Sequence, residues 1–228
     1  MAIRQFLHYV KNVKGLKMKK AVILLSGGLD SSTVLYLAKK QGYKCHCLIV
    51  DYAQRHKREI ICAIKIAKKA GATYKVIKIN LPWDKSSLID KTKTITGKLN
   101  IKNNLPLTYV PGRNTIFISF ALSYAETIGA SKIFIGANAV DYSGYPDCRP
   151  GYYKAFNKVL KELGMNIQIQ TPIIKLTKSG IVKLGVKLGV PYGLTWSCYN
   201  GGKIPCGTCD SCKFRKKGFK AAGAVDPL

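Results

Sequence analysis

The chain has 228 residues, 47% hydrophobic and 21% charged, which is enough apolar material for one large domain with a small appendage and excludes overall intrinsic disorder. No apolar run reaches the roughly 18 residues of a membrane span, and the basic first twenty residues lack the apolar stretch and cleavage site of a secretory signal. Lys and Arg number 38 against 11 Asp and Glu, a net charge of +27 that suits either a polyanionic partner such as RNA or a lysine-rich solvated surface, and charge alone does not choose.

Residues 1–18 read as a basic N-terminal extension, with 1–17 expected to be dispensable and Met18 the functional start. Residues 21–25 read as a buried strand and 31–41 as the helix after it. Residues 45–51 form a second predicted strand, and 55–70 an amphipathic helix closed by Gly71. A third strand is expected at 73–80. The polar, lysine-rich stretch 82–112, punctuated by Pro82, Gly97, Pro106, Pro111 and Gly112, reads as a long loop or lid. A long apolar helix follows at 114–128, then a fourth strand at 132–137, a helix at 152–163 stopped by Gly164, a short strand at 167–171 and a last helix at 177–188. Beyond Pro191 the periodicity fades into a cysteine-rich tail. The alternation predicts an α/β fold over 19–190, a Rossmann-like parallel sheet with helices on both faces, followed by a small metal-binding region at 191–228.

Between the first strand and its helix lies Leu25-Ser26-Gly27-Gly28-Leu29-Asp30-Ser31-Ser32. Two glycines let the backbone fold tightly enough to aim amides at a phosphate, and the helix start adds unpaired N–H groups and a positive dipole end. Ser26, Ser31 and Ser32 supply uncharged hydroxyls. The segment is neither a P-loop nor a dinucleotide fingerprint. It resembles the SGGxDS signature of the PP-loop ATP pyrophosphatases. That resemblance implies that the turn grips the β,γ-pyrophosphate of ATP while a substrate oxygen attacks the α-phosphorus, with Mg²⁺ assisting. Asp30 is then a Mg²⁺ ligand or a brace of the loop.

Cys198, Cys206, Cys209 and Cys212 follow the spacing C-x7-C-x2-C-x2-C, and Asn200-Gly201-Gly202 forms a turn after the first. Four thiolates satisfy tetrahedral Zn²⁺ and leave no open position, so the site reads as structural, with an iron–sulfur cluster as the rival. Lys203, Lys213, Arg215, Lys216 and Lys217 lie nearby to offset its negative charge. Four of the eight cysteines crowd into 198–212 and the other four are scattered; without an export signal this distribution points to a metal cluster in a reducing, cytoplasmic compartment. Cys45 and Cys47 share one strand face and, with Cys62 on an apolar helix side, read as small buried hydrophobes, while Cys148 sits in a polar loop and could be reactive.

Three further polar segments leave the carboxyl ends of strands, the edge where open α/β sheets bind ligands: 51–56 (DYAQRH), 110–114 (VPGRN) and 139–149 (AVDYSGYPDCR). Together with Cys198-Tyr199-Asn200-Gly201 and the cysteine cluster they make residues 19–228 resemble the 7-cyano-7-deazaguanine synthase (QueC) family, a PP-loop family with an adenine-nucleotide alpha-hydrolase-like fold. The resemblance implies an ATP-dependent carbon–nitrogen ligase that uses 7-carboxy-7-deazaguanine and ammonia, binds one structural Zn²⁺, feeds queuosine or archaeosine synthesis and forms a homodimer. It assigns residues 25–32 and Asp51 to ATP, with Ser26, Asp30 and Arg113 catalytic. Arg55, His56, Arg113, Asn114 and Arg149 fall to the substrate, with Asp141 or Asp147 accepting from its guanine-like N–H edge and Tyr142 or Tyr145 packing on the ring. The chain departs from that family at Gly151, Gly180 and Gly193, where an acidic residue is expected. A PP-loop enzyme that thiolates tRNA or makes a lysidine-type product on it is the alternative reading.

Overall fold

A computed structural model describes residues 18–81, 86–90, 92, 95, 105–140 and 145–228. The 1–17 extension, much of the 82–112 loop, and Asp141 and Tyr142 lie outside the described residues.

Five parallel strands form one sheet in the order β3-β2-β1-β4-β5. They are β1 (Lys20–Leu24), β2 (Lys44–Asp51), β3 (Thr73–Lys78), β4 (Lys132–Ile135) and β5 (Gln168–Gln170). Ala21 pairs with Cys45 on one side and with Lys132 on the other, so β1 is the central strand. Its period-2 alternation splits the core. Ala21 and Ile23 pack with Cys45, Cys47 and Ile49 against α1 (Leu29–Lys40), α2 (Arg58–Lys69) and α5 (Lys178–Lys187). Val22, Leu48, Ile133 and Ile135 face α3 (Arg113–Ile128) and α4 (Pro150–Glu162) on the opposite side. Burial on both faces is why these strands read as continuous apolar runs.

The chain runs from β1 outward to β3, then returns across the sheet to β4 and β5. This reversal opens a crevice at the carboxyl ends of β1 and β4, the topological switch point where such sheets bind ligands. Predicted elements and observed ones differ mainly at their ends. The second helix starts at Arg58 rather than residue 55, because the Arg55 N–H is drawn to the Leu88 carbonyl (2.9 Å) and the segment between β2 and Arg58 stays out of the helix.

The tail beyond Pro191 contains a helix that hydropathy did not reveal, α6 (Asp210–Ala222), packed along α5. Its buried stripe is Cys212, Arg215, Gly218 and Phe219. The spacing is helical, but only Phe219 registers as a large apolar residue, and Phe219 joins the same cluster as α1 and α5. Arg215 does not offset the cysteine cluster as the sequence suggested. Its buried guanidinium grips Asp226 (Nε–Oδ2 2.8 Å), the Thr195 hydroxyl (2.7 Å) and the Tyr192 carbonyl (3.1 Å), tying the tail to the turn before it. Among the described residues, no helix is long and apolar enough to cross a membrane.

Candidate active site

β1 ends at the switch point, where the Leu25 N–H bonds to the Leu48 carbonyl (3.0 Å) before the chain turns through Ser26-Gly27-Gly28 into α1. Gly27 has φ +80°, and a Cβ there would lie 2.3 Å from the Glu59 carbonyl oxygen and 2.6 Å from the Ala63 nitrogen. Only glycine lets the turn lie flat on α2. On its other side the Gly27 carbonyl accepts from the Trp196 N–H (2.9 Å). Within the turn, the Ser31 hydroxyl accepts from the Ser26 N–H (3.2 Å) and sits 3.0 Å from the Ser26 hydroxyl. The buried Ser32 hydroxyl donates to the Gly28 carbonyl (2.7 Å). No side chain caps α1, so the N–H groups of its first turn remain for a ligand. Gly136, after β4, was not singled out from the sequence. A Cβ there would lie 2.8 Å from the Ser31 backbone, so the helix start can approach β4 only over a glycine.

The turn opens onto a cavity of about 270 Å³. Leu25, Ser26, Gly28, Leu29, Asp30 and Ser31 border it on one side. Across the space stand Arg55, His56, Arg113, Asn114 and Tyr145, so the structure gathers most of the sequence-predicted residues around one opening. Arg113 begins α3, with its guanidinium 5.8 Å from the Tyr52 ring. Burial works against its charge, but Tyr52, Asp147 and Tyr145 outweigh that and hold it protonated. The Tyr145 hydroxyl bonds to Thr108, and its ring stacks near Tyr109 at 5.9 Å.

The other predicted residues differ in where the fold places them. Asp147 is buried, and its carboxylate accepts from the Asn114 N–H at the start of α3 (3.4 Å) while its carbonyl accepts from Tyr153 (2.9 Å); it does not border the cavity. Asp51, at the end of β2, accepts from the Ala53 N–H (3.3 Å) and lies 3.6 Å from Lys57; it does not border the cavity. His56 borders the cavity and its ring lies over Gly201, where a Cβ would come within 2.2 Å of it, while its buried Nδ1 has no hydrogen-bond partner among the described residues. Burial and then the Arg55 and Arg58 charges pull its pKa below the usual value. Arg149 is exposed at the start of α4, away from the cavity. Cys148 borders the cavity, yet burial pushes its thiol up to about 11, which makes it a poor nucleophile at neutral pH.

Two residues that sequence reasoning missed stand close to the chemistry. The Lys178 ammonium lies 2.8 Å from both oxygens of Asp30, so of the two roles open to Asp30 the geometry favours the brace. The lysine stem passes over Gly218 of α6, where a Cβ would lie 2.4 Å from its Cγ. Among 38 basic residues nothing in the sequence separates Lys178 from a surface lysine; the glycine facing it is visible only in three dimensions. The second is Glu59, in the first turn of α2, which lines the cavity. Burial pushes it up to about 7, with Arg113 pulling the other way.

The four cysteines converge. Their sulfurs all lie within 4.8 Å of one another, and Cys206 and Cys212 are 4.0 Å apart. Backbone N–H groups point at the sulfurs, from Cys206 to Cys198 (3.3 Å) and from Cys209 to Cys206 (3.4 Å). Such donors stabilise thiolates, and the group could hold a metal ion. Cys62 packs beside this cluster rather than in the main core. Trp196 links it to the glycine turn, since its indole N–H donates to the Cys198 carbonyl (2.9 Å) while its backbone N–H holds Gly27.

A family model described as "Queuosine biosynthesis protein QueC" matches residues 20–223, nearly the whole described fold. The chain belongs to the QueC family. Similar curated proteins named 7-cyano-7-deazaguanine synthase include one from Thermoplasma acidophilum, 51% identical over 93% of this chain and 92% of that protein. Another, from Nostoc punctiforme, is 50% identical over 92% and 98%, and a third, from Hydrogenovibrio crunogenus, 50% identical over 92% and 95%. In fold the chain is similar to the NMN synthetase structure from Francisella tularensis, with a TM-score of 0.52 and 18% identity over 91% of this chain and 79% of that one. QueC membership favours the small-molecule ligase reading over the RNA-acting alternative, and the parallel sheet agrees with the predicted fold class.

Proposed function

We propose that this QueC protein converts 7-carboxy-7-deazaguanine and ammonia to 7-cyano-7-deazaguanine in two ATP-driven rounds. The observation that carries the reading is the uncapped start of α1, wrapped in serine hydroxyls and opening onto the cavity that also contains Arg113. Amides at a helix start suit the β,γ-pyrophosphate, and the fixed turn stabilises charge as pyrophosphate leaves. A substrate carboxylate beside Arg113 would be oriented for its oxygen to attack the α-phosphorus. Ammonia then displaces AMP to give the amide. In the second round the amide oxygen attacks another α-phosphorus, and departure of AMP leaves the nitrile. Both rounds ask the site for the same step, which is why one turn can serve both.

Ser26 reaches the nucleotide from the open side of the turn, while Ser31, Ser32 and the Lys178–Asp30 pair keep the turn in shape. Mg²⁺ accompanying ATP neutralises phosphate charge. The cysteine set suits one structural Zn²⁺. Bonds of about 2.3 Å put tetrahedral sulfurs roughly 3.8 Å apart, near the 4.0 Å between Cys206 and Cys212, whereas an iron–sulfur cluster spreads its thiolates around several irons. With Asp147 engaged at α3, Asp141 is the carboxylate assigned to the guanine-like N–H edge, and Tyr145 the ring that flanks it.

Incubation with ATP, Mg²⁺, ammonium and the carboxylate, followed by mass analysis, should yield nitrile, AMP and pyrophosphate. Release of ADP and orthophosphate, or no consumption of the acid, rejects the reading.

A further inference from the structure

The reaction sheds protons from nitrogen at every stage after adenylation. One leaves when ammonia attacks the acyl adenylate and the amide forms with release of AMP. Two more leave when the adenylated amide breaks its C–O bond to AMP and its nitrogen becomes a nitrile. All three depart from the same nitrogen, and neither the serines of the turn nor the protonated Arg113 can accept them.

We propose that Glu59, which lines the reaction cavity from the first turn of α2, is the base that takes these protons in both rounds. The inference rests on the proposed reaction and extends it. Three features of the fold carry it. The glycine turn lies directly on the Glu59 backbone, with the Gly27 Cβ position 2.3 Å from the Glu59 carbonyl oxygen, which places this residue at the phosphate end of the cavity. Glu59 lines the same space as Arg113 and Asp30, and the Arg113 charge acts on its carboxyl. Asp30 is held at both oxygens by Lys178, and Asp147 by the start of α3, so neither offers a free carboxylate there.

The charged and titratable groups around Glu59 are Arg113 from α3, Tyr52 from the segment after β2, and Cys62 on α2 itself. Arg113 keeps the carboxylate accessible near neutrality against the effect of burial, and a base poised there can take a proton and return it to water between steps.

The test uses the full chain with Glu59→Gln and Glu59→Asp, after wild-type protein has been shown to make the nitrile; failure of the wild type would reject the reaction, not this assignment. Acid-dependent exchange of labelled pyrophosphate into ATP, without ammonium, reads adenylation alone. Single-turnover formation of amide and nitrile reads the steps that lose protons. Glu59→Gln should keep the exchange near the wild-type rate and slow amide and nitrile formation by roughly 10²–10³-fold, removing the acidic limb of the pH profile near 7. Glu59→Asp should recover part of the rate with that limb restored. Wild-type nitrile formation by Glu59→Gln, or loss of exchange as large as the loss of nitrile, overturns the proposal.

Discussion

The glycine turn and the cysteine knuckle are both built from backbone N–H groups arranged around negative charge, yet they differ in what they leave open. At the turn, α1 begins uncapped and its amides face a cavity, so the charge they attract can arrive and depart. At the knuckle, the Cys206 and Cys209 N–H groups are already committed to sulfur, and the four thiols close on one another. One array is suited to an exchangeable triphosphate and the other to a permanent ion. Trp196 spans the two, so the permanent site can hold the exchangeable one in shape.

The sharpest way to break this contrast is Gly27→Ala. A left-handed alanine whose Cβ meets the α2 backbone at 2.3 Å must push the turn off α2, at an expected cost of about 2–5 kcal/mol with ATP binding lost; calorimetric titration and thermal melts check both. Cys206→Ser comes next. Removing one thiolate should release the metal, lower stability by roughly 2–4 kcal/mol and weaken ATP binding through Trp196, so metal content and nucleotide affinity should fall together. ATP affinity unchanged in a metal-free variant would separate the two sites.

A smaller effect concerns pH. The Glu59 carboxyl is raised in the fold from 4.5 to about 7, so it contributes stability that is present below 4.5 and is lost as pH climbs through about 7. Because Glu59 lines the cavity, the penalty above pH 7 should be about 1–2 kcal/mol, less than a full shift would carry. Glu59→Gln should therefore be more stable than wild type at pH 8 and equal to it at pH 4, measured by denaturant midpoints. The smallest effect is expected at Gly180, the third residue of α5, whose N–H is capped by the Thr177 hydroxyl at 3.2 Å. Gly180→Glu completes a capping box, its Cβ meeting the Thr177 hydroxyl and the Leu176 side chain at ordinary contact distances of 3.4–3.9 Å, and should add about 1 kcal/mol, read as a rise in melting temperature.

Much of this was legible in the chain. Residues 21–25, 45–51 and 132–137 are short apolar runs between turn residues, and a fully buried parallel strand leaves that trace because both its faces meet helices. Ser26 to Ser32 declared itself because its residues act locally, through one tight turn and one helix start. The C-terminal helix did not, since its buried stripe is made of cysteine, arginine and glycine that are apolar in environment rather than in composition. Lys178 and Glu59 stayed hidden for a related reason. A lysine on a helix start or a glutamate on an amphipathic helix looks solvated until the fold sets Asp30 or Arg113 against it.

The order of strands and helices as far as Pro191, the serine-glycine turn and the four-thiol knuckle follow from the sequence alone, because each depends on neighbours within a few residues. Tertiary structure decided which carboxylates are free. Asp30 is neutralised by a lysine 148 positions away and Asp147 is drawn into the start of α3, while Glu59 is left lining the cavity. Burial and pairing across the sheet edge set the charge state of each group, and those are properties of distance in space that linear order does not contain.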